Sequence, residues 1–281
     1  MEADRLAMPN DSGASLGRYE VKSVARALQL LGLLAEHASQ GLTVTEAASA
    51  VGASKSATFA MLQTLVAYGY ASGSDPGPRY RLGPAVLRLA DSHTRSMPLI
   101  DLVRPAMRAL TDDTGWTSRL AVHEHGYPMF IERMDGRGSV RFFTPLGLRE
   151  MPHLSAAGKA ILADLDEALV RTIAADTGLP SRTGHTITDI DSLLENLALV
   201  RARGFAVDDE EDEVGVLCIG ASFLGRGGQP AGAVSITGLK ADIPDWRLQE
   251  FARKVRAAAD QMAVAIGGQP WRTRAPAKDA T

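Results

Sequence analysis

The chain has 281 residues, enough for about two domains. Its composition, 45% hydrophobic and 22% charged, is that of an ordinary folded chain and excludes collagen-like, coiled-coil and disordered readings. The net charge of -3, taken alone, argues against nucleic-acid binding, and the single cysteine, Cys218, excludes an internal disulfide and a cysteine-cluster zinc site. A lone cysteine fits a reducing, cytoplasmic setting. No apolar run reaches the ~18–20 residues that span a bilayer. The opening MEADRLAMPNDSGASLGRYE lacks the apolar core of a signal peptide. The expectation is a cytoplasmic protein with no membrane partner.

Residues 1–19 read as a disordered tail. In VKSVARALQLLGLLAEHA, the residues Val21, Val24, Leu28, Leu31 and Ala35 recur at helical spacing and predict an apolar stripe. Gly41 closes the connection. Thr43 and Glu46 have capping-box spacing at the start of TVTEAASAVG, and Gly52 sits where that helix ends. Ser54 can cap the next helix, SKSATFAMLQTLVAYGY. A short helix, a tight turn and a second helix make a helix-turn-helix. Stretches 69–72 and 79–82 flank the turn-rich SDPGP and predict a β-hairpin. Three helices and a hairpin wing over residues 20–83 describe a winged helix-turn-helix, followed by a linker helix over 84–96.

From residue 97 the pattern changes. LIDLVRPAMRALTDDTG predicts a helix with Leu99, Leu102, Val103, Met107 and Leu110 on one side. WTSRLAVHEHG, YPMFIERMDG and SVRFFTPLG alternate as an antiparallel meander. Helices follow over SAAGKAILADL, 166–176 and 189–203. GFAVDDEE, VLCIGASFLG and PAGAVSITG are strands, and DWRLQEFARKVRAAADQMAVAIG is a terminal amphipathic helix. Strands grouped around helices over 97–268 indicate an α+β domain. Residues 269–281 read as a flexible tail.

These segments resemble the IclR family of bacterial transcriptional regulators. The motifs that carry the resemblance are SVARALQLLGLLAE, GLTVTEAASAVGASKSATFAMLQTLVAYGY and YRLGPAVLRLA, then HLSAAGKAIL, VRARGFAVDDEEDEVGVLCIGA and AGAVSITG. Each alone is modest; their order across two domains is specific. The resemblance implies an amino-terminal winged helix-turn-helix that binds double-stranded operator DNA. It also implies a carboxy-terminal, GAF-like antiparallel sheet flanked by helices that binds a small organic or aromatic acid, and assembly as a homodimer or homotetramer. No cofactor, metal or catalytic residue is expected.

A recognition helix reads base edges from its first turns. The DNA-facing set is accordingly Thr43, Ser54, Lys55, Ser56, Thr58, Phe59 and Gln63, with Arg79 and Arg81 in the wing. Helix amides and hydroxyls at Ser54–Ser56 suit a phosphate, with Lys55 as point charge, and Gln63 suits adenine. Family members commonly carry His or Tyr followed by Arg where this chain has Phe59 and Ala60. The periodicity allows two stripes. Either Thr58, Met61, Leu62 and Leu65 face the core and Phe59 points outward, or Phe59, Leu62 and Val66 face it. Residues 20–85 hold five cations against four anions, a net +1, so DNA affinity per subunit is expected to be weak.

The resemblance places the effector pocket at the turn into the HLSAAGKA helix and the strands after it. The backbone amides of Ala156 and Ala157 would favour an anion. Asp208, Cys218, Ser235 and Thr237 match the family's polar lining, with a second Ser more usual where Thr237 stands. Met129, Phe142, Met151 and Val216 would supply apolar walls, Phe142 stacking on an aromatic ligand. The acidic run at 208–213 reads as a solvated turn rather than a metal site. Nothing in the spacing of His153, Asp208 and Cys218 requires zinc. Lys159 lacks a phosphate-loop context and reads as surface charge or an ion pair. Two alternatives stand beside the regulator. One is a sensing module with weak or lost DNA binding. The other is a hydrolase using Ser155 with His153, or Cys218 with a histidine, for which the GxSxG elbow is absent.

Overall fold

The computed structural model describes residues 21–74, 79–95, 98–138, 142 and 145–271. The chain forms two compact units that divide at Pro98 and Leu99. The expected tail over 1–19 and the tip of the wing lie outside the described residues.

The first unit runs α1 (Lys22–Glu36), β1 (Leu42–Thr43), α2 (Val44–Ala50), α3 (Lys55–Ala67), β2 (Ala71–Ser74), β3 (Arg79–Leu82) and α4 (Ala85–Arg95). The Thr43 hydroxyl accepts from the Glu46 amide at 3.2 Å, and the Thr43 amide donates to the Glu46 carboxylate at 2.7 Å. That reciprocal pair starts α2. Ser54 Oγ accepts from the Ala57 amide and starts α3. The wing has a strand that the sequence pattern does not announce, because β1 is only two residues long. The order is β1-β3-β2, all antiparallel. Gly41, at φ +68°, admits that close pairing, since a Cβ there would lie 2.8 Å from the Tyr80 carbonyl. Leu30, Leu34, Leu42, Ala47, Val51, Leu62, Ala71 and Tyr80 form the core. The expected stripe of α1 is corrected here. Leu30 and Leu34 are buried, while Val24 and Leu28 are 54% and 63% exposed. A leucine-rich helix offers two faces of equal period, and periodicity alone does not choose between them.

The second unit runs α5 (Pro98–Thr114), β4 (Thr117–Glu124), β5 (Tyr127–Met134), α6 (Ala156–Leu162), α7 (Glu167–Thr177), α8 (Ile190–Arg203), β6 (Ala206–Asp209), β7 (Val216–Leu224), β8 (Pro230–Leu239) and α9 (Asp245–Ala265). Its sheet is five-stranded and antiparallel, in the order β5-β4-β8-β7-β6. Ala121, Ala233, Phe130, the buried side of α6 and the inner faces of α7 and α8 make one core on one face. On the other face Trp116 meets Phe251 of α9 edge-on, and Ser118 donates to the Met107 carbonyl of α5. Of the expected α5 stripe, Val103, Met107 and Leu110 are buried and Leu102 is exposed. The third expected strand, over 139–147, lies mostly outside the described residues, and Phe142 and Pro145 are not in a strand. The expected tail is ordered through Trp271, whose amide donates to Asp260 at 2.8 Å. Among the described residues, no helix is long and apolar enough to cross a membrane.

Candidate functional site

In the first unit the helix-turn-helix presents one side of α3. Thr58 and Leu62 are fully buried, Met61 and Leu65 partly so, and Phe59 is 49% exposed. Of the two stripes that periodicity allows, the outward Phe59 is the one adopted. Thr58 is a correction: its hydroxyl is inside the domain, out of reach of a duplex, with no hydrogen-bond partner among the described residues. Ser54, Lys55, Ser56, Ala60 and Gln63 are exposed beside Phe59. The Gln63 amide nitrogen donates to the Tyr80 hydroxyl at 2.9 Å, so one of its donors is engaged by the wing. Thr43 spends its hydroxyl in the capping box, and those hydrogen bonds hold the Glu46 carboxyl below its ordinary range. Arg79 donates to the Gly41 carbonyl at 2.9 Å and lies 3.6 Å from Glu46. Arg81 donates to the Ser39 carbonyl at 3.2 Å.

In the second unit the strand register builds the site. Directly opposite residues share a face. Asp208, Cys218, Thr237 and Thr117 therefore form one row across β6, β7, β8 and β4, and Ala206, Gly220, Ser235 and Arg119 form the next. The first turn of α6 lies on these rows. A side chain at Gly220 would stand 2.7 Å from the Ala156 backbone, so only glycine lets the helix settle there. Ala156, Ala157, Asp208, Cys218, Ser235 and Thr237 are thus brought together and buried, with half-buried Val216 at the end of the same face. Phe142 is half-buried and lines a recess with Trp116, Thr117, Thr237 and Leu239. Met151 is half-buried in the turn before α6. Met129 is a correction. A bulge between Leu120 and Ala121 aligns Phe130 with Ala121, so Met129, opposite Val122, belongs to the other face of the sheet.

The charges of this site are mostly interior. Lys159 is fully buried, donates to the Val207 carbonyl at 2.6 Å and pairs with Glu211. This settles its role as an ion pair rather than surface charge. The acidic run is the expected solvated turn only in part: Asp209, Asp212 and Glu213 are exposed, whereas Asp208 and Glu211 are buried. Asp208 accepts from the Glu211 and Asp212 amides at 2.9 and 3.4 Å, closing the turn. Burial pushes the Asp208 carboxyl up to about 6 against the pull of Lys159. Burial likewise pushes Glu150 up to about 7, opposed by Arg119. The Cys218 thiol is raised by burial and stays protonated, 3.3 Å from the Thr237 hydroxyl. Among the described residues no group of three or more His, Cys, Asp or Glu is placed to hold a metal ion.

Among the described residues neither hydrolase pairing is assembled. Ser155 Oγ accepts from the Gly158 amide as the cap of α6. His153 is buried with Nε2 at 3.1 Å from the Pro180 carbonyl. A nucleophile needs an oriented base within reach, and this histidine is turned elsewhere. Sequence reasoning missed Arg119 and Glu150. Arg119 is 7% exposed, its guanidinium 4.6 Å above the Phe130 ring, 3.6 Å from Cys218 Sγ and 3.8 Å from Glu150. In an alternating strand an arginine reads as solvent-facing. Only its pairing with Ser235 reveals the face it is on.

A winged helix-turn-helix beside a separate domain with a buried polar patch on one sheet face defines a DNA-binding regulator with a ligand-binding domain. Residues 23–73 match the family described as IclR helix-turn-helix domain, and residues 92–264 match Bacterial transcriptional regulator IclR C-terminal. The chain belongs to the IclR family of bacterial transcriptional regulators. It is 31% identical over 275 residues to the HTH-type transcriptional regulator BhcR of Paracoccus denitrificans, covering 97% of this chain and 95% of that one. It is 31% identical over 251 residues to the transcriptional repressor IclR of Escherichia coli, covering 89% and 91%. A solved IclR homologue from Microbacterium hydrocarbonoxydans, complexed with 4-hydroxybenzoate, shares the fold with a TM-score of 0.72 at 20% identity, covering 87% of this chain and 98% of that one. These relatives are regulators, not enzymes. This protein is a DNA-binding transcriptional regulator with a carboxy-terminal effector-binding domain.

Proposed function

We propose that the protein is a cytoplasmic regulator whose affinity for operator DNA changes when a small organic or aromatic acid binds in its second domain. Residues 20–83 would read the operator, with 84–96 as linker helix and 97–268 as the effector domain. Lys55, Ser54 and Ser56 would meet a phosphate, Phe59 a thymine methyl, Gln63 an adenine, and Arg79 and Arg81 the flanking backbone or minor groove. The observation that carries the effector reading is the pair of buried polar rows under α6, with Phe142 at their edge. Pockets of this kind are mostly apolar with a few placed polar groups. The 4-hydroxybenzoate bound by the Microbacterium homologue supports an aromatic acid as ligand class.

Assembly as a homodimer or homotetramer is supported by exposed Val21 just before α1, Val24 and Leu28 on α1 and Leu87 and Leu89 on α4, apolar surface that a single chain leaves wet. The net +1 of the first domain makes several subunits necessary for tight binding. The ligand would act by binding two arrangements of the winged helices unequally. Ser235→Ala and Asp208→Ala should weaken the response of operator binding to ligand while leaving ligand-free DNA affinity intact. Unchanged ligand affinity by calorimetry in both variants would reject this pocket. One observation favours a second reading, a sensor with weak DNA binding. The exposed face of α3 has Ala60 where the family commonly has Arg, and Lys55 is the sole cation within the helix. A gel shift of the full chain on its upstream DNA separates the two.

A further inference from the structure

We infer that Tyr80 is a positioning residue for operator recognition: from the wing, its hydroxyl holds the exposed Gln63 amide in a set orientation, so that α3 meets the major groove with an adenine reader already aimed. The inference rests on the reading of Gln63 as an adenine contact given above, and adds the residue on which its selectivity depends. Ser56, Phe59 and Gln63 lie three and four residues apart and are all exposed, so they share the outward face of α3. Lys55, at the start, is the sole cation within this helix. Beyond it the face reads DNA with neutral groups, whose value lies in direction rather than charge.

A glutamine side chain carries two N–H donors and one acceptor oxygen. Tyr80 takes one donor, at 2.9 Å, and among the described residues the Gln63 side chain makes no other hydrogen bond. One donor and the oxygen remain. Adenine asks for that pair in the major groove, the oxygen accepting from its N6–H and the nitrogen donating to its N7. The tyrosine hydroxyl is a fixed point. Tyr80 is 4% exposed in the core of the first unit, and its backbone is paired on both sides, to Leu42 of β1 and to Gly73 of β2. The buried ring does not follow the glutamine, so the glutamine is held to the ring. A free surface glutamine samples many rotamers and loses that freedom when it binds. Holding it beforehand strengthens the contact with the right base and adds no phosphate contact. A hydroxyl that merely found a partner in a surface glutamine would stabilise the domain and leave base selection untouched.

The experiment enriches a randomised duplex pool on the full-length wild type. Affinity is then measured by fluorescence anisotropy for the enriched duplex and for every single base-pair replacement of it. Wild type should prefer adenine over guanine by about tenfold to a hundredfold at the pair that Gln63 reads, and Gln63→Met identifies that pair by losing the preference there. Tyr80→Phe keeps the ring and its packing. It should cut the preference at the same pair several-fold, leave the other pairs as in wild type, and leave the salt slope unchanged, because no phosphate contact is lost. The double variant Tyr80→Phe, Gln63→Met should match Gln63→Met alone, since nothing is left to position. In DNA-free wild type the Gln63 side-chain amide should have an NMR order parameter above about 0.6. That measurement needs no variant, so it decides the question if Tyr80→Phe does not fold. A wild-type base profile in folded Tyr80→Phe or in Gln63→Met, a loss spread evenly over all pairs, or a motionally averaged Gln63 amide overturns the positioning role and leaves the regulator reading intact. Failure of wild type to enrich any duplex overturns both.

Discussion

Replacing Lys159 by Met tests the interior charge arrangement most directly. The ammonium is fully buried and its partner Glu211 is 7% exposed. Removing the cation leaves a buried carboxylate whose compensation is gone, a loss of about 3–5 kcal/mol. The second unit has a size at which 1 kcal/mol moves the midpoint by about 2–4 °C, so the variant should melt about 6–20 °C lower at neutral pH. The double variant Lys159→Met, Glu211→Gln should recover most of that, because the stranded charge is then absent. The pH dependence has a fixed sign. Burial already raises the Glu211 carboxyl, and Lys159 opposes the rise. Without the lysine the folded-state value climbs further above the unfolded one. The destabilisation is therefore full at alkaline pH and shrinks as pH falls and Glu211 takes up a proton. Thermal unfolding by circular dichroism across pH 5–8 (a window of about this width) measures it. A single variant within about 1 kcal/mol of wild type at pH 8 would refute the burial of this pair.

Three further outcomes are expected. Thr58→Val should raise stability by about 1 kcal/mol, since it removes a buried hydroxyl without a partner, and should leave operator affinity unchanged; a loss of DNA binding in a folded variant would return Thr58 to the interface. Asp208 and Glu150, pushed up to about 6 and about 7, hold protons that the unfolded chain has already released. The stability that these two groups supply should therefore be lost as pH rises from about 4 through 7, so wild type should lose stability relative to Glu150→Gln over that range; denaturant midpoints of both proteins against pH check it, and a difference that stays flat contradicts it. Lys55→Ala should weaken operator binding and reduce its salt slope by about one; an unaltered slope removes Lys55 from the phosphate contacts.

Much of this protein is written locally in its sequence. The Thr43–Glu46 capping box, the Ser54 cap and the hairpin between 71 and 82 depend on residues a few positions apart, whose hydrogen bonds close as soon as the chain turns. The two-domain division and the order of helices and strands follow from period and turn chemistry in the same way. What the sequence left open are questions of facing and register. On α1 the pairs Val24/Leu28 and Leu30/Leu34 have equal period, and only the core of α2, α3 and the wing selects the second. On α3 the same ambiguity placed Thr58 among the DNA contacts, although it packs inside. On β5 one bulge turns Met129 away from the pocket. Arg119 and Ser235 are over one hundred positions apart, and their pairing across β4 and β8 is a fact of sheet register. Side-chain direction in a strand has period two, so the face a residue joins is set by its partner strand as much as by its own segment. Local sequence therefore determines most of the elements and the family, while tertiary packing decides which polar groups meet in the dry interior.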